Sequence, residues 1–142
     1  MKALTICQPY AELILRGEKP VENRTWRLSH RGPLLIHAGK SRAWLNLGDE
    51  LNSHDGLPIA EMAFGALVGV ASVLACLSPA AVRRDYRRIA GSEHIEGPWC
   101  TVLAEVRRFL EPIPYRGQPG VFDVPDALVR DAIQRSTEVT CD

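Results

Sequence analysis

A chain of 142 residues is long enough for one domain that buries roughly 70% of the surface its unfolded form exposes, and too short for two independent cores. Its 46% hydrophobic and 24% charged residues are those of an ordinary globular protein, and no run of about 18 apolar residues is present to span a bilayer. The formal net charge of zero speaks against a protein that coats long DNA by bulk electrostatics.

Ala3 to Cys7 is a short apolar run that predicts a strand, closed by Gln8-Pro9 because proline cannot continue a central ladder. Tyr10, Leu13 and Ile14, with Gly17 as terminator, predict a two-turn helix in which Pro9 occupies the first turn. Val21 to Trp26 reads as a strand with Val21, Asn23 and Thr25 on one face and Glu22, Arg24 and Trp26 on the other. A turn over residues 29 to 33 leads into a strand at Leu34 to Ala38, and Ser41 to Asn52 predicts a helix with the apolar set Ala43, Trp44, Leu47 and Leu51. Phe64 to Leu77 predicts a long strand that bends at Gly65 and Gly69. Ser78-Pro79 opens a helix that runs to near Gly91, its outer face carrying Arg83, Arg84, Arg87 and Arg88. Trp99 to Leu110 predicts a strand with a proline-marked exit at residues 111 to 114, Val121 to Val124 another, and Pro125 to Arg135 a terminal helix.

Five or six strands interrupted by helices indicate an α+β domain, and a small closed or partly closed β-barrel is the economical arrangement because it removes exposed edges. One domain over residues 1 to 136 is expected, with residues 137 to 142 frayed. The N-terminus shows no signal-peptide pattern, so the cytoplasm is the expected location. Cys7, Cys76, Cys100 and Cys141 form no Cys-x-x-Cys pair, and His30, His37, His54 and His94 no ligand spacing; the expectation is reduced thiols, no metal and no cofactor.

Charge is unevenly spread. Between Arg16 and Arg42 there are seven cationic side chains against two acids, Glu18 and Glu22, which leaves this stretch locally +5 and the remainder −5. A basic face on a neutral protein suits a small anion or a few nucleotides better than a long duplex.

Gln8-Pro9-Tyr10, followed by Gly17-x-Lys19-x-x-Glu22-x-Arg24-x-Trp26, resembles the ASCH domain, the activating-signal-cointegrator homology branch of the PUA-like superfamily. The resemblance continues through His30-Arg31-Gly32-x-Leu34-x-Ile36-x-Ala38-x-Lys40, Gly65-x-Leu67-x-Gly69, Pro98-Trp99 and Gly117-x-Pro119-Gly120-x-Phe122, and so covers nearly the whole chain. It implies a PUA-like small β-barrel with flanking helices and a cleft lined by the Gly-x-Lys-x-x-Glu-x-Arg unit. Members of the family variously bind RNA or DNA, cleave RNA, or hydrolyse acylated cytidine. Two positions depart from it: many relatives carry tryptophan where this chain has Tyr10, and the cytidine-acyl hydrolysing relatives carry threonine where it has Glu22.

Each candidate admits a structural and a functional role. Lys19 is a solvated turn lysine or a donor to phosphate, base carbonyl or oxyanion. Glu22 forms a salt bridge, accepts from an exocyclic amine, or serves as general base. Arg24 grips phosphate or holds Glu22 in place, with the holding role favoured. Tyr10 and Trp26 stack a base or fill core, the core being favoured for Trp26. Gln8 reads a base edge or, as is favoured, caps the following helix. His37 and Lys40 are expected near Lys19 as the opposite wall, or else serve in a core hydrogen bond or surface ion pair. The four arginines are a solvated face or a phosphate track, and the loop carrying Glu93 and Glu96 is a candidate to close on the site. The leading expectation is therefore binding of single-stranded RNA or a modified nucleotide in a basic cleft built from Gln8, Tyr10, Lys19, Glu22, Arg24, His37 and Lys40, with no membrane partner. The alternative is a hydrolase of a modified nucleoside, or a ribonuclease, with Lys19 and Glu22 as the acid/base pair.

Overall fold

Lys2–Ile6 forms the first strand, β1, and lies parallel to Gly32–Ala38, β3, with Leu4 opposite Ile36 and Thr5 opposite His37. The computed structural model describes residues 1–45 and 57–140. Between those two strands come helix α1 (Tyr10–Leu15) and strand β2 (Val21–Arg24), and after them β4 (Ala66–Leu77), α2 (Pro79–Asp85), β5 (Trp99–Pro114), β6 (Val121–Asp123), α3 (Asp126–Gln134) and the two-residue β7 (Thr137–Glu138). The sheet order is β2-β5-β4-β3-β1-β6, with β7 added on β5, and every pairing except β1 with β3 is antiparallel.

Both sheet faces are covered, which is why β1 from Ala3 and β3 from Leu34 are apolar on both faces apart from Thr5 and His37. Leu4, Ile6, Leu34 and Ile36 pack on one face with Ile14 and Leu15 of α1, while Ala3, Leu35 and Phe122 pack on the other with Val129 of α3. The sheet curls into a half-barrel. Its edge strand β2 shares no ladder with β1, yet Arg24 Nη2 donates to the Thr5 carbonyl at 2.6 Å. β4 approaches β5 closely at Gly69: a Cβ there would overlap the Arg107 carbonyl oxygen and lie 2.7 Å from Leu15 Cδ2. The β4–β5 register shifts between Leu67 and Gly69.

Four elements differ from expectation. β5 continues through Pro112 and Pro114, because its second flank carries only β2 along 99–102 and β7 along 107–108, leaving the proline segment an edge that needs no donor on that side. The tail is tied down rather than frayed over residues 137 and 138, through pairing with Arg107 and Arg108. α2 stops at Asp85, followed by a separate 3-10 turn at Arg87–Ile89. Residues 41 to 45 form a turn at Ala43-Trp44 instead of starting a helix, and residues 46 to 52 of that expected helix lie outside the described residues. No helix among the described residues is long and apolar enough to cross a membrane.

Candidate functional site

The turn after α1 sets the site. Gly17 takes φ 77° at the helix C-terminus, a left-handed conformation that glycine adopts without a Cβ penalty. The chain reverses there, and Lys19 turns inward. Its side chain is 4% exposed, and its ammonium donates to the Val21 carbonyl and to Glu22 Oε1 at 3.2 Å and sits 5.6 Å from the centre of the Tyr10 ring. Two of three N–H groups are thereby used, leaving one for a ligand.

Glu22 is held on both sides. Oε1 accepts from Lys19 and from the Asn23 backbone N–H at 3.2 Å, and Oε2 accepts from Arg24 Nη2 at 3.3 Å. Arg24 therefore does hold Glu22, as favoured from sequence, and through the Thr5 carbonyl it also ties β2 to β1. Nη2 carries both contacts, so Nε and Nη1 have no partner among the described residues. This cation–carboxylate–cation row forms the floor of a cavity of about 430 Å³.

Its walls come from distant parts of the chain. Asn23 Oδ1 accepts from the Glu96 and Gly97 backbone N–H groups at 3.1 and 2.8 Å, and its Nδ2 donates to the His94 carbonyl at 2.8 Å, which fixes the 94–97 loop beside the floor. Glu96 lines the cavity, whereas Glu93 lies along a separate depression beside Glu18 and Arg88. Trp44, 61% exposed, stands at the rim. Cys7 also lines the cavity. Burial, followed by the nearby Glu22 carboxylate, pushes its thiol pKa up, so it stays protonated and is a poor nucleophile.

Of the expected site residues, Tyr10, Lys19, Glu22 and Arg24 surround one cavity, and Gln8, His37 and Lys40 are not among its lining. Gln8 is buried, its Oε1 accepting from the Glu12 backbone N–H at 2.9 Å and its Nε2 donating to the Ala63 carbonyl at 2.9 Å, so its amide ties the start of α1 to the segment before β4. His37, also buried, lies between Thr5 Oγ1, 3.0 Å from Nδ1, and the Tyr115 carbonyl, 2.7 Å from Nε2. The carbonyl only accepts, so Nε2 carries the proton and in the neutral ring Nδ1 accepts from the threonine hydroxyl. Lys40 extends over Gly65 and lines a second cavity with His37. Trp26 is neither core nor cleft: β2 ends at Arg24, and the indole is 37% exposed in a surface depression beside Arg27 and His30. None of the four arginines on and after α2 lines the Lys19 cavity; Arg83 holds the Ile95 carbonyl and Arg84 pairs with Asp85.

The cavity is also less basic than the sequence suggests. Lys19 and Arg24 are matched by Glu22 and Glu96, so its charged lining balances among the described residues. Strand alternation places Asn23 on the far face and the helical pattern places Trp44 on an apolar side, so neither is legible in the sequence as a wall of the site. An indole following the basic pair Lys40 and Arg42 was the available signal.

A family model described as the ASCH domain matches residues 4–113. The chain is 26% identical over 136 residues to human activating signal cointegrator 1 and 25% identical to the mouse protein, in each case covering 91% of this chain and 23% of the relative, so it spans about a quarter of their length. In fold it is similar to the crystal structure of ASCH from Zymomonas mobilis, with a TM-score of 0.57 at 15% identity over 98% of this chain and 97% of that one. A single-residue mutant of that protein superposes with a TM-score of 0.56 at 15% identity, over 96% and 98%. The half-barrel, with three α-helices among the described residues, is thus the α+β, PUA-like arrangement. The cavity bounded by Lys19, Glu22 and Arg24 sits on a chain that belongs to the ASCH domain family.

Proposed function

We propose that the chain binds single-stranded RNA by taking one nucleobase into the Lys19–Glu22–Arg24 cavity. The observation that carries this reading is the combination of a charge-balanced, donor-rich floor with an exposed indole at the rim. A base is a planar, neutral group with carbonyl and ring-nitrogen acceptors. The remaining Lys19 N–H and the free Nε and Nη1 of Arg24 suit those acceptors, and Trp44 offers a stacking face. Membership of the ASCH family supports the same reading. A folded duplex would hide the base edge, so a single strand or an isolated modified nucleoside is the form that fits.

Glu22 already accepts from Lys19, the Asn23 N–H and Arg24, three of the roughly four hydrogen bonds a carboxylate can take, which leaves a single Oε2 lone pair for work as general base. Binding is accordingly favoured over hydrolysis. The test is an anisotropy titration of a fluorescein-labelled, mixed-sequence RNA hexamer with the wild type and Trp44→Ala. Saturable binding is expected, with the variant weaker by roughly fivefold or more, since a stacked base contributes about 1–3 kcal/mol. Equal affinity of the two proteins contradicts it, and turnover of the hexamer or of acylated cytidine by the wild type would replace it with the hydrolase reading.

A further inference from the structure

We propose that the second cavity, beside Lys40 and Arg116, is a phosphate subsite for the same strand, so that the ligand class is a phosphorylated oligonucleotide rather than a free nucleoside. The proposal rests on the base-binding reading for the identity of its ligand. The cavity measures about 410 Å³ and meets the Lys19 cavity at Thr5, which lines both. Thr5 serves each side: its carbonyl accepts from Arg24, and its hydroxyl pairs with His37.

Charge separates the two cavities. Among the described residues the lining of the first balances, whereas that of the second contains two cations, Lys40 and Arg116, and no acid. Neither cation has an ion-pair or hydrogen-bond partner among the described residues, and both are exposed. A phosphodiester leaving the first cavity would find no net positive charge there and two unpaired cations next door.

The second cavity is also firmly built. Gly65, at φ 66°, donates its N–H to the Ala38 carbonyl at 2.8 Å and accepts from the Tyr115 N–H at 3.1 Å, joining the end of β3 to the loop that carries Arg116. A Cβ on Gly65 would come within 2.8 Å of Lys40 Cε, so the lysine stem lies directly along this backbone. On the other side Gly117 packs against the dyad of Thr5 and His37, where a Cβ would be 2.7 Å from Thr5 Oγ1. His37 completes the link through the Tyr115 carbonyl. The two cations thus project from backbone that is fixed on both sides.

The experiment compares the wild type, Lys40→Ala/Arg116→Ala and Trp44→Ala, each titrated with the labelled RNA hexamer at several salt concentrations and with unphosphorylated nucleosides by NMR. Because both cations are exposed and unpartnered, the double variant keeps its melting temperature. Its hexamer affinity is expected to fall roughly tenfold, and its log–log salt slope to drop by about 0.7, the value for one phosphate contact on a single strand. Nucleoside affinity should stay unchanged. A double variant with wild-type hexamer affinity and slope overturns the subsite while leaving the base cavity standing. If Trp44→Ala binds the hexamer normally and only the double variant is impaired, the subsite stands and the base reading fails. A wild type that binds no hexamer overturns both.

Discussion

At the scale of single residues, the site is a set of buried charges that can exist only as a group. Lys19 is almost fully enclosed, so Glu22→Gln would leave an ammonium without its counter-charge, and a loss on the order of 3 kcal/mol in urea unfolding is expected. Arg24→Gln is gentler, because Glu22 keeps Lys19. It should stay folded while losing charge-assisted hydrogen bonds to the ligand, with RNA affinity down roughly tenfold in an anisotropy titration. The thiols supply a pH dependence. Burial raises the pKa of Cys7, with Glu22 adding to it, and burial raises that of Cys100, with Cys76 adding. A group whose protonated form is favoured by folding gives stability that is complete below its unfolded pKa and disappears as pH rises through the folded one. Melting temperature should therefore fall above about pH 8.5, and less steeply in Cys7→Ala. An identical slope in the two proteins would contradict that origin.

At the scale of elements, close approach and edge pairing decide stability. Gly69→Ala would drive a methyl into the Arg107 carbonyl and Leu15, and neither a strand backbone nor a packed helix gives way readily. A loss on the order of 2 kcal/mol or more is expected from thermal or urea unfolding. Truncation after Arg135 removes β7, the Val139 N–H bond to the Val106 carbonyl and both contacts of Arg107 with Ser136. At about 1 kcal/mol per hydrogen bond, roughly 3 kcal/mol or more should disappear. These elements also show what the sequence could disclose. Apolar runs, the Ser78-Pro79 start and the Gly17 stop are local signals, and β1, α1, β3, β4, α2 and α3 follow from them with ends shifted by a few residues. The length of β5 and the existence of β7 were not legible, because both depend on which strand lies alongside. Pro112 reads as a strand end until a missing neighbour makes it harmless.

For the whole molecule, curling the sheet converts residues far apart in sequence into one cavity. The motif from Lys19 to Arg24 was legible because its members are two or three residues apart and mutually charged. The second wall was legible only in part: the loop carrying Glu93 and Glu96 was a candidate to close on the site, and of the two acids Glu96 lines the cavity. His37 and Lys40 are assigned by the curl to the neighbouring cavity behind Thr5, and their place is taken by the 94–97 loop, about seventy residues away and fixed by Asn23. Gln8 disappears into the core for a similar reason: the carbonyl that claims its amide belongs to Ala63, which no local pattern connects to it. The central claim is one of location, that a nucleobase of single-stranded RNA enters the cavity between Lys19, Glu22, Arg24 and Trp44. The most direct test is a two-dimensional NMR titration of isotope-labelled protein with the RNA hexamer. Saturable shifts are predicted for the Trp44 indole, the Arg24 Nε–H and the amides of Cys7 and Asn23, with the Trp26 indole unmoved. Shifts confined to the Trp26 face, or none at RNA concentrations that saturate binding, would contradict it.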